Sequence, residues 1–199
     1  IMLKIGNLYK ALEHYDRAIN YYKRILKIDP HNYKALNELG HAYALKGEYS
    51  KAIATFQRAK RYKPKLPNSY NRLGNVFDDQ KKFKKAITEY KTARKVAPRH
   101  QESYKNIARH QLRKGNVIGA IKTIKQGIEK NPKDAEGFYN LGRLYYKVKN
   151  YKKAKDYFNK AIKKNPKKPK YYTWKGESLI RMGDLDNAII AFKKAIALD

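Results

Sequence analysis

The side chains that most often carry catalysis or hold metal ions are few and scattered in this sequence. It has no cysteine, and its five histidines never stand in pairs at the spacing of metal ligands. Asp78 and Asp79 are neighbours on a predicted helix, so their carboxylates point in different directions and do not make a catalytic pair. No glycine-rich phosphate loop, HExxH motif or nucleophile elbow is present. We therefore predict a protein that is not an enzyme and needs no cofactor or metal.

Cations dominate the residues that could bind a partner. Lysine and arginine number 47 against 17 aspartates and glutamates, which gives a net charge of +30. Such a field attracts nucleic acid, anionic membrane surfaces or acidic protein segments. The alternative interpretation is a biased composition in which most of the lysines are merely solvated.

The sequence also bears on where the protein works. The lack of cysteine fits a reducing compartment, so we expect a cytoplasmic location. No apolar run approaches the roughly 18 to 20 residues of a membrane span, and no signal peptide is visible. The sequence starts at Ile1 inside a helical pattern, which predicts a fragment, so a leader or anchor outside it stays open.

The elements that position these residues follow from an internal repeat. Hydrophobic residues make up 42% of the chain, enough for a core, and four kinds of residue recur every 34 positions. The prolines are Pro30, Pro64, Pro98, Pro132 and Pro166. The glycines are Gly6, Gly40, Gly74, Gly142 and Gly176, with Ala108 in the gap. The alanines are Ala18, Ala52, Ala86, Ala120, Ala154 and Ala188. The aromatics are Tyr22, Phe56, Tyr90, Phe158 and Phe192, with Ile124 as the exception.

Each recurrent residue has a physical reason. Proline lacks an N–H group and ends the second helix of a unit. Glycine and alanine allow two helices to cross closely. One helical face carries Tyr70, Leu73 and Phe77, and we expect this face to be buried against the partner helix. Asn32 and Asp134 are expected to be N-caps. Pro67 and Pro169 suit a first helical turn.

The order of these residues resembles the tetratricopeptide repeat over the whole chain. The second unit shows it as Leu39-Gly40, Tyr43, Ala52, Phe56, Ala59 and Pro64. The fifth unit shows Phe138, Leu141-Gly142, Tyr145, Ala154, Phe158, Ala161 and Pro166. The fourth departs most, with Ala108, Gln111 and Gly127 in place of glycine, an aromatic and alanine, which predicts looser or bent packing.

The resemblance implies an all-α fold, a right-handed α-solenoid of about six tandem helix-turn-helix units in one domain over residues 1–199. The units are expected at 1–32 (truncated), 33–66, 67–100, 101–134, 135–168 and 169–199 (truncated). First helices are predicted near 1–13, 34–46, 68–80, 102–114, 136–148 and 170–182. Second helices are predicted near 16–28, 50–62, 84–96, 118–130, 152–164 and 186–198.

The resemblance further implies that the first helices line a concave groove that receives a peptide. We expect the groove residues to be those of the first helices that the core does not use. They are Asn71, Asn75, Lys105, Asn106, Arg109, Arg113, Tyr139, Asn140, Arg143, Tyr146, Lys147, Lys170 and Trp174.

Three features of this set indicate the kind of partner. Its asparagines can pair with a peptide backbone of any sequence, and its aromatics can anchor partner side chains. Its cations favour an acidic segment or a C-terminal carboxylate. The alternative is that Glu102, Glu136 and Glu177, on the same face, neutralise the cations internally.

Some family members grip a C-terminal carboxylate with cations and asparagines at set places on three successive first helices. Lys105, Asn140 and Lys170 match three of these places. Arg109 stands where asparagine is usual, and Trp174 stands where a cation is usual. The sequence therefore favours an acidic ligand more clearly than it favours this particular clamp.

The leading hypothesis is thus a non-catalytic scaffold that binds a peptide or an extended, acidic protein segment in its groove. A second hypothesis is sequence-nonspecific binding of nucleic acid or another anionic surface by the ten lysines between Lys147 and Lys168, opposed only by Asp156. A third is self-assembly, because the last helix leaves Ile189, Ile190 and Ile196 without a following helix to cover them.

Overall fold

A computed structural model describes residues 1–199, and it consists of twelve helices without a strand. The first helices of the repeats are α1 (Met2–Ala11), α3 (Tyr33–Leu45), α5 (Pro67–Asp79), α7 (Gln101–Arg113), α9 (Ala135–Lys147) and α11 (Pro169–Ile180). The second helices are α2 (Tyr15–Ile28), α4 (Tyr49–Tyr62), α6 (Phe83–Val96), α8 (Val117–Lys130), α10 (Tyr151–Lys164) and α12 (Leu185–Ile196). Each boundary lies within two residues of its predicted position, and the prediction of six helix-turn-helix repeats is confirmed.

The helix ends use the residues that the sequence assigns to them. The side chain of Asn32 accepts a hydrogen bond from the backbone N–H of Ala35 at 3.0 Å. Asp134 accepts from the first turn of α9, and its N-cap role is likewise confirmed. Pro67 and Pro169 open α5 and α11, where the missing N–H costs nothing.

The recurrent glycines are required by the rings that lie on them. A Cβ atom at Gly40 would come within 2.8 Å of the ring of Phe56, and one at Gly142 within 2.6 Å of Phe158. Real Cβ atoms do not approach other atoms so closely, so any larger residue would push the two helices of a repeat apart. The aromatics themselves are buried: Phe56 and Phe158 are completely inaccessible to solvent.

The fourth repeat solves the same packing problem with a different pair. Ala108 replaces the glycine and Ile124 replaces the ring, and both side chains remain buried in a core cluster with Leu141 and Leu144. A second departure is also satisfied, because the hydroxyl of Thr123 donates to the side-chain oxygen of Gln111 at 2.8 Å. The core of this repeat is therefore built from an aliphatic contact where the others use a ring.

The chain forms two compact units, Ile1–Ser103 and Tyr104–Asp199. In the first unit one core cluster joins α2, α3, α4 and α5. In the second unit, helices α7 to α12 contribute the residues of several aliphatic and aromatic core clusters. A single domain over residues 1–199 stays a prediction. None of the helices combines the length and the apolar character that crossing a bilayer demands.

Candidate functional site

A cavity of about 590 Å³ opens on the first helices of the second unit. It is lined by residues of α7, α8, α9 and α11. These are Lys105, Ala108, Arg109, Leu112, Ile124, Asn140, Arg143, Leu144, Tyr146, Lys147 and Trp174. The structure thus brings seven of the thirteen predicted groove residues to one place: Lys105, Arg109, Asn140, Arg143, Tyr146, Lys147 and Trp174.

Aliphatic side chains form part of the cavity wall, and sequence reasoning missed them. Ala108, Leu112, Ile124 and Leu144 all line it. The other five repeats place an aromatic ring at the position of Ile124. The ring is fully buried in four of these repeats and half-buried in the last. An isoleucine is smaller than a phenylalanine or tyrosine, which leaves room beside it. The signal was present in the sequence as the departure of the fourth repeat from the aromatic pattern.

The charged part of the lining is entirely cationic. Lys105, Arg109, Arg143 and Lys147 line the cavity, and no aspartate or glutamate does. Arg143 is held by aromatic rings, because its guanidinium carbon lies 5.0 Å from the centroid of Trp174 and 5.9 Å from that of Tyr139. A guanidinium fixed on a ring face loses less freedom when it binds a planar carboxylate.

Tyr146 and Trp174 support each other beside this cation. Their ring centroids are 5.3 Å apart at an interplanar angle of 85°, the edge-to-face arrangement that aromatic pairs favour. The hydroxyl of Tyr146 also accepts a hydrogen bond from Nε of Arg181 at 3.3 Å. The two rings are therefore positioned before any ligand arrives.

Lys170 does not line the cavity, and an internal carboxylate pairs with it. Its ammonium lies 2.6 Å from Glu136, which also accepts a hydrogen bond from the hydroxyl of Tyr171 at 2.7 Å. Burial raises the pKa of Glu136, but the hydrogen bonds from Lys170 and Tyr171 outweigh burial and bring the pKa below its ordinary value. Glu136 thus neutralises Lys170, which is the alternative that the sequence left open. Lys170, one of the residues that match the carboxylate clamp, is already paired within the protein.

Three predicted groove residues are buried and do not line this cavity. Asn71 is 3% exposed, Asn106 is completely buried and Tyr139 is 7% exposed. The amide of Asn71 donates to Oγ of Ser103 at 3.1 Å. One repeat earlier the direction is reversed, because the side-chain oxygen of Asn37 accepts from Oγ of Ser69 at 3.0 Å. Asn37 and Asn71 therefore each join two neighbouring repeats through a hydrogen bond between an amide and a hydroxyl 32 residues apart.

Asn75 also has an internal role. Its side-chain oxygen accepts a hydrogen bond from the hydroxyl of Tyr90 at 2.8 Å, and Asn7 accepts from Tyr22 at the same distance. In the other repeats with a residue at this position, the asparagine is replaced together with the tyrosine. The matching pairs are His41 with Phe56, Arg109 with Ile124, Arg143 with Phe158 and Glu177 with Phe192.

This paired replacement was visible in the sequence. A tyrosine hydroxyl buried on the helix contact needs an acceptor, whereas phenylalanine and isoleucine do not. Where the tyrosine is replaced, the position on the first helix no longer has to supply a hydrogen-bond acceptor. In the second unit this position holds Arg109 and Arg143. Of the remaining predicted residues, Arg113 is exposed near the end of α7 and does not line the cavity.

The equivalent face of the first unit is closed by ion pairs. Glu38 contacts the ammonium of Lys10 and lies 2.8 Å from the guanidinium of Arg72, which also donates to the backbone oxygen of Asn37 at 3.1 Å. Burial raises the pKa of Glu38, but the hydrogen bond from Lys10 and the charge of Arg72 together hold the pKa below its usual value. In the first unit, the carboxylate of Glu38 therefore pairs with the cations Lys10 and Arg72.

His41 lies beside this network. Its Nδ1 is 3.4 Å from the ammonium of Lys10. Burial, followed by the positive charges of Arg72 and Lys10, lowers its pKa from 6.5 to about 4. The imidazole is therefore neutral at physiological pH and adds no charge to the face.

Solved structures with the same architecture come from varied proteins. TTC0263, a thermophilic tetratricopeptide repeat protein of Thermus thermophilus, has 22% identity and a TM-score of 0.68 over 90% of this chain and 97% of its own. The pilF protein of Pseudomonas aeruginosa has 15% identity and a TM-score of 0.70 over all of this chain and 96% of its own. The Cut9-Hcn1 hetero-tetramer of the APC/C has 19% identity and a TM-score of 0.70, and this chain spans 39% of the chain that it matches. At these identities the likeness shows the fold alone.

Family models cover almost the whole sequence. Comparison with curated protein sequences gives no significant match. Three tetratricopeptide repeat models match residues 3–67 and 71–135, residues 135–168, and residues 169–199. The chain therefore belongs to the tetratricopeptide repeat family.

Proposed function

We propose that this chain is a non-catalytic scaffold that binds an extended, acidic segment of another protein in the cavity of its second unit. The family's fold commonly serves protein–protein interaction. The observation that carries the finer proposal is a cavity whose lining includes Arg143 and Lys147 beside an apolar wall, and no carboxylate.

The first unit supplies an internal model for the ligand. There the carboxylate of Glu38 lies between Lys10 and Arg72. The repeat position of Glu38 is filled by Asn140 in the cavity, since the two residues are three periods of 34 apart. An amide brings no negative charge to that position, and a ligand carboxylate supplies one through charge-assisted hydrogen bonds.

The aliphatic wall adds a second requirement. Leu112, Ile124 and Leu144 offer an apolar surface that gains by excluding water. A volume of about 590 Å³ accommodates a few side chains of a partner rather than a folded domain. The best ligand is therefore a segment that places an aliphatic or aromatic side chain next to aspartate or glutamate.

A selection from a phage-displayed library of random peptides tests this proposal. We expect the selected peptides to be rich in aspartate and glutamate and to carry one apolar side chain at a fixed offset. A fluorescein-labelled selected peptide is then titrated against wild type and Arg143→Ala/Lys147→Ala by fluorescence anisotropy. We expect the double variant to bind at least about tenfold more weakly, because two charge-assisted contacts are lost.

The matched control is Lys122→Ala/Lys125→Ala, which removes the same charge from exposed positions of α8 away from the cavity. It should bind the peptide like wild type. Peptides without acidic enrichment, or equal binding by both double variants, would show that the cavity is not the site.

A further inference from the structure

The outward side of α10 carries a surface charge that the cavity does not use. Eight exposed lysines lie on this helix and on the turns at its two ends, and we call them the lysine stripe. They are Lys149, Lys152, Lys153, Lys160, Lys163, Lys164, Lys167 and Lys168. Ala154, Phe158 and Ala161, on the opposite side of the helix, are completely buried in the core. The stripe therefore lies on a different side of α10 from the contacts that hold the helix in the unit.

No carboxylate of the protein neutralises the stripe. Asp156 is the only acidic residue among these lysines, and the ion pairs of the structure include none of the eight. The first unit differs, because Lys51 on α4 pairs with Glu48 at 2.6 Å and Lys60 pairs with Glu89 at 2.7 Å. The charge on α10 is thus available to an external anion.

The shape of the stripe favours a linear polyanion. The fourteen residues of α10 rise about 21 Å along the helix axis, and the lysines continue past its end. Lysines lie in the first turn, in the middle and in the last turn. A duplex carries one negative charge for about every 1.7 Å of its axis, so a line of ammonium groups meets several phosphates at once.

The composition of the stripe argues against the other anionic partners. It has no arginine, and lysine is depleted in protein–protein interfaces whereas arginine is enriched. The apolar side of α10 is buried, so the helix cannot insert that side between lipids. A surface of point charges without an apolar centre suits contacts to phosphate oxygens.

The neighbouring aromatics do not offer a base-reading platform. Tyr145 and Tyr157 stack on each other with centroids 5.3 Å apart. The ammonium of Lys153 lies 5.5 Å from the ring of Tyr145, and that of Lys160 lies 4.9 Å from the ring of Tyr157. With their faces engaged inside the protein, these rings are not placed to stack on unpaired bases.

From the lysine stripe we infer a second binding site, which takes the phosphate backbone of duplex nucleic acid without regard to sequence. It is separate from the peptide cavity and independent of its function. Binding by the stripe would let the scaffold hold a protein segment and a nucleic acid at the same time.

The test is a titration of fluorescein-labelled duplex DNA of mixed sequence, followed by anisotropy over a series of salt concentrations. We compare wild type with Lys152→Glu/Lys160→Glu/Lys164→Glu. The matched control is Lys84→Glu/Lys91→Glu/Lys95→Glu, which makes the same charge change at exposed positions on the outward side of α6. Circular dichroism and thermal melting establish that both variants are folded.

We expect the stripe variant to bind at least about tenfold more weakly at low salt, because it loses contacts to phosphates. The steepness of the plot of log affinity against log salt should also fall, by about 0.9 for each lost contact. The α6 variant should keep most of the affinity and the slope. A duplex of scrambled sequence should bind equally well.

Three results would overturn the inference. The first is a wild-type protein that does not bind the duplex at low salt. The second is an equal loss in the two triple variants, which would mean that net charge alone is responsible. The third is stripe-dependent cosedimentation with phosphatidylserine vesicles at a salt concentration where the duplex no longer binds, which would assign the stripe to a membrane surface.

Discussion

The two units carry the same repeat but differ in the charges that surround the repeat position of Glu38. In the first unit, Glu38 holds Lys10 and Arg72 in a partly buried network. In the second unit, the cavity brings four cations together and has no acidic residue in its lining. The comparison teaches that one repeat position supplies a carboxylate in the first unit, as Glu38, and an uncharged amide in the cavity, as Asn140.

The difference does not follow from total charge. The repeat position of Glu38 is held by Arg72, Asn106 and Asn140 in the next three repeats. Of these four residues only the glutamate carries a negative charge, and it lies where the cations Lys10 and Arg72 reach it. A single carboxylate, correctly placed, therefore matters more here than the net charge of +30.

The largest expected effect comes from removing that carboxylate. Glu38→Gln should destabilise the first unit by about 2 kcal/mol, because Lys10 and Arg72 would keep their charges without a partner in a partly buried place. Urea denaturation followed by circular dichroism measures the change. Glu13→Gln, at an exposed glutamate with no ion pair in the structure, is the control and should have little effect. A stability equal to that of wild type would mean that the network contributes nothing.

The converse change should close the cavity of the second unit. Asn140→Glu places a carboxylate at the repeat position of Glu38, among Lys105, Arg143 and Lys147. We expect it to compete with an acidic peptide and to weaken binding at least about tenfold, or about 1.4 kcal/mol. Anisotropy titration measures the affinity, and Asn140→Gln should bind like wild type. If Asn140→Glu bound the acidic peptide as well as Asn140→Gln does, the analogy between the two units would fail.

The next largest expected effect is that lowering the pH destabilises the first unit through His41. The pKa of His41 falls from 6.5 to about 4 on folding, so the unfolded chain takes up a proton in this range while the folded chain does not. Its contribution to stability is therefore present above pH 6.5 and is lost progressively as the pH falls toward 4. Hydrogen exchange read by mass spectrometry should show the first unit losing about 1 kcal/mol between pH 7 and pH 5 from this group, after allowance for its partial exposure.

His41→Asn provides the control for that loss, because asparagine stands at the same repeat position in Asn7 and Asn75 and does not titrate. The pH dependence of the first unit should become shallower in this variant. An unchanged profile would show that other groups cause the acid sensitivity.

The smallest expected effect concerns the ring that holds Arg143. Trp174→Phe should weaken acidic-peptide binding about threefold, because a smaller ring gives a weaker contact with the guanidinium, by about 0.5 to 1 kcal/mol. Competition against a labelled peptide measures it. In wild type, Trp174 is the sole tryptophan, so its fluorescence should change as the cavity fills. An unaltered emission on saturation with peptide would place the peptide elsewhere.

The sequence predicted the helices well because each boundary has its own local cause. The period of 34 residues, the prolines after second helices and the caps at Asn32 and Asp134 depend on neighbours in the chain. The pairing of Gly40 with Phe56 and of Gly142 with Phe158 could also be predicted, since both members recur in register.

The site was only partly predictable. Sequence reasoning placed Asn71 and Tyr139 in a groove because they are polar or amphipathic and have no assigned core role. The structure buries Asn71 against Ser103, and Tyr139 lies between Phe158 and Tyr171, with ring centroids 6.0 and 5.3 Å away. Which polar side chain meets a partner depends on contacts about one repeat away, and no local pattern states them.

The sequence by itself determined the family, the six repeats, the excess of cations and the departure of the fourth repeat at Ala108 and Ile124, because spacing and residue type suffice for these. Only the tertiary structure decided that Lys170 is neutralised by Glu136 and that Lys105, Arg143 and Trp174 line one cavity without a carboxylate. The physical reason is range: helix and turn preferences act over a few residues, whereas the pairing of charges is settled by distances of a few ångströms between side chains that the chain separates by thirty or more positions.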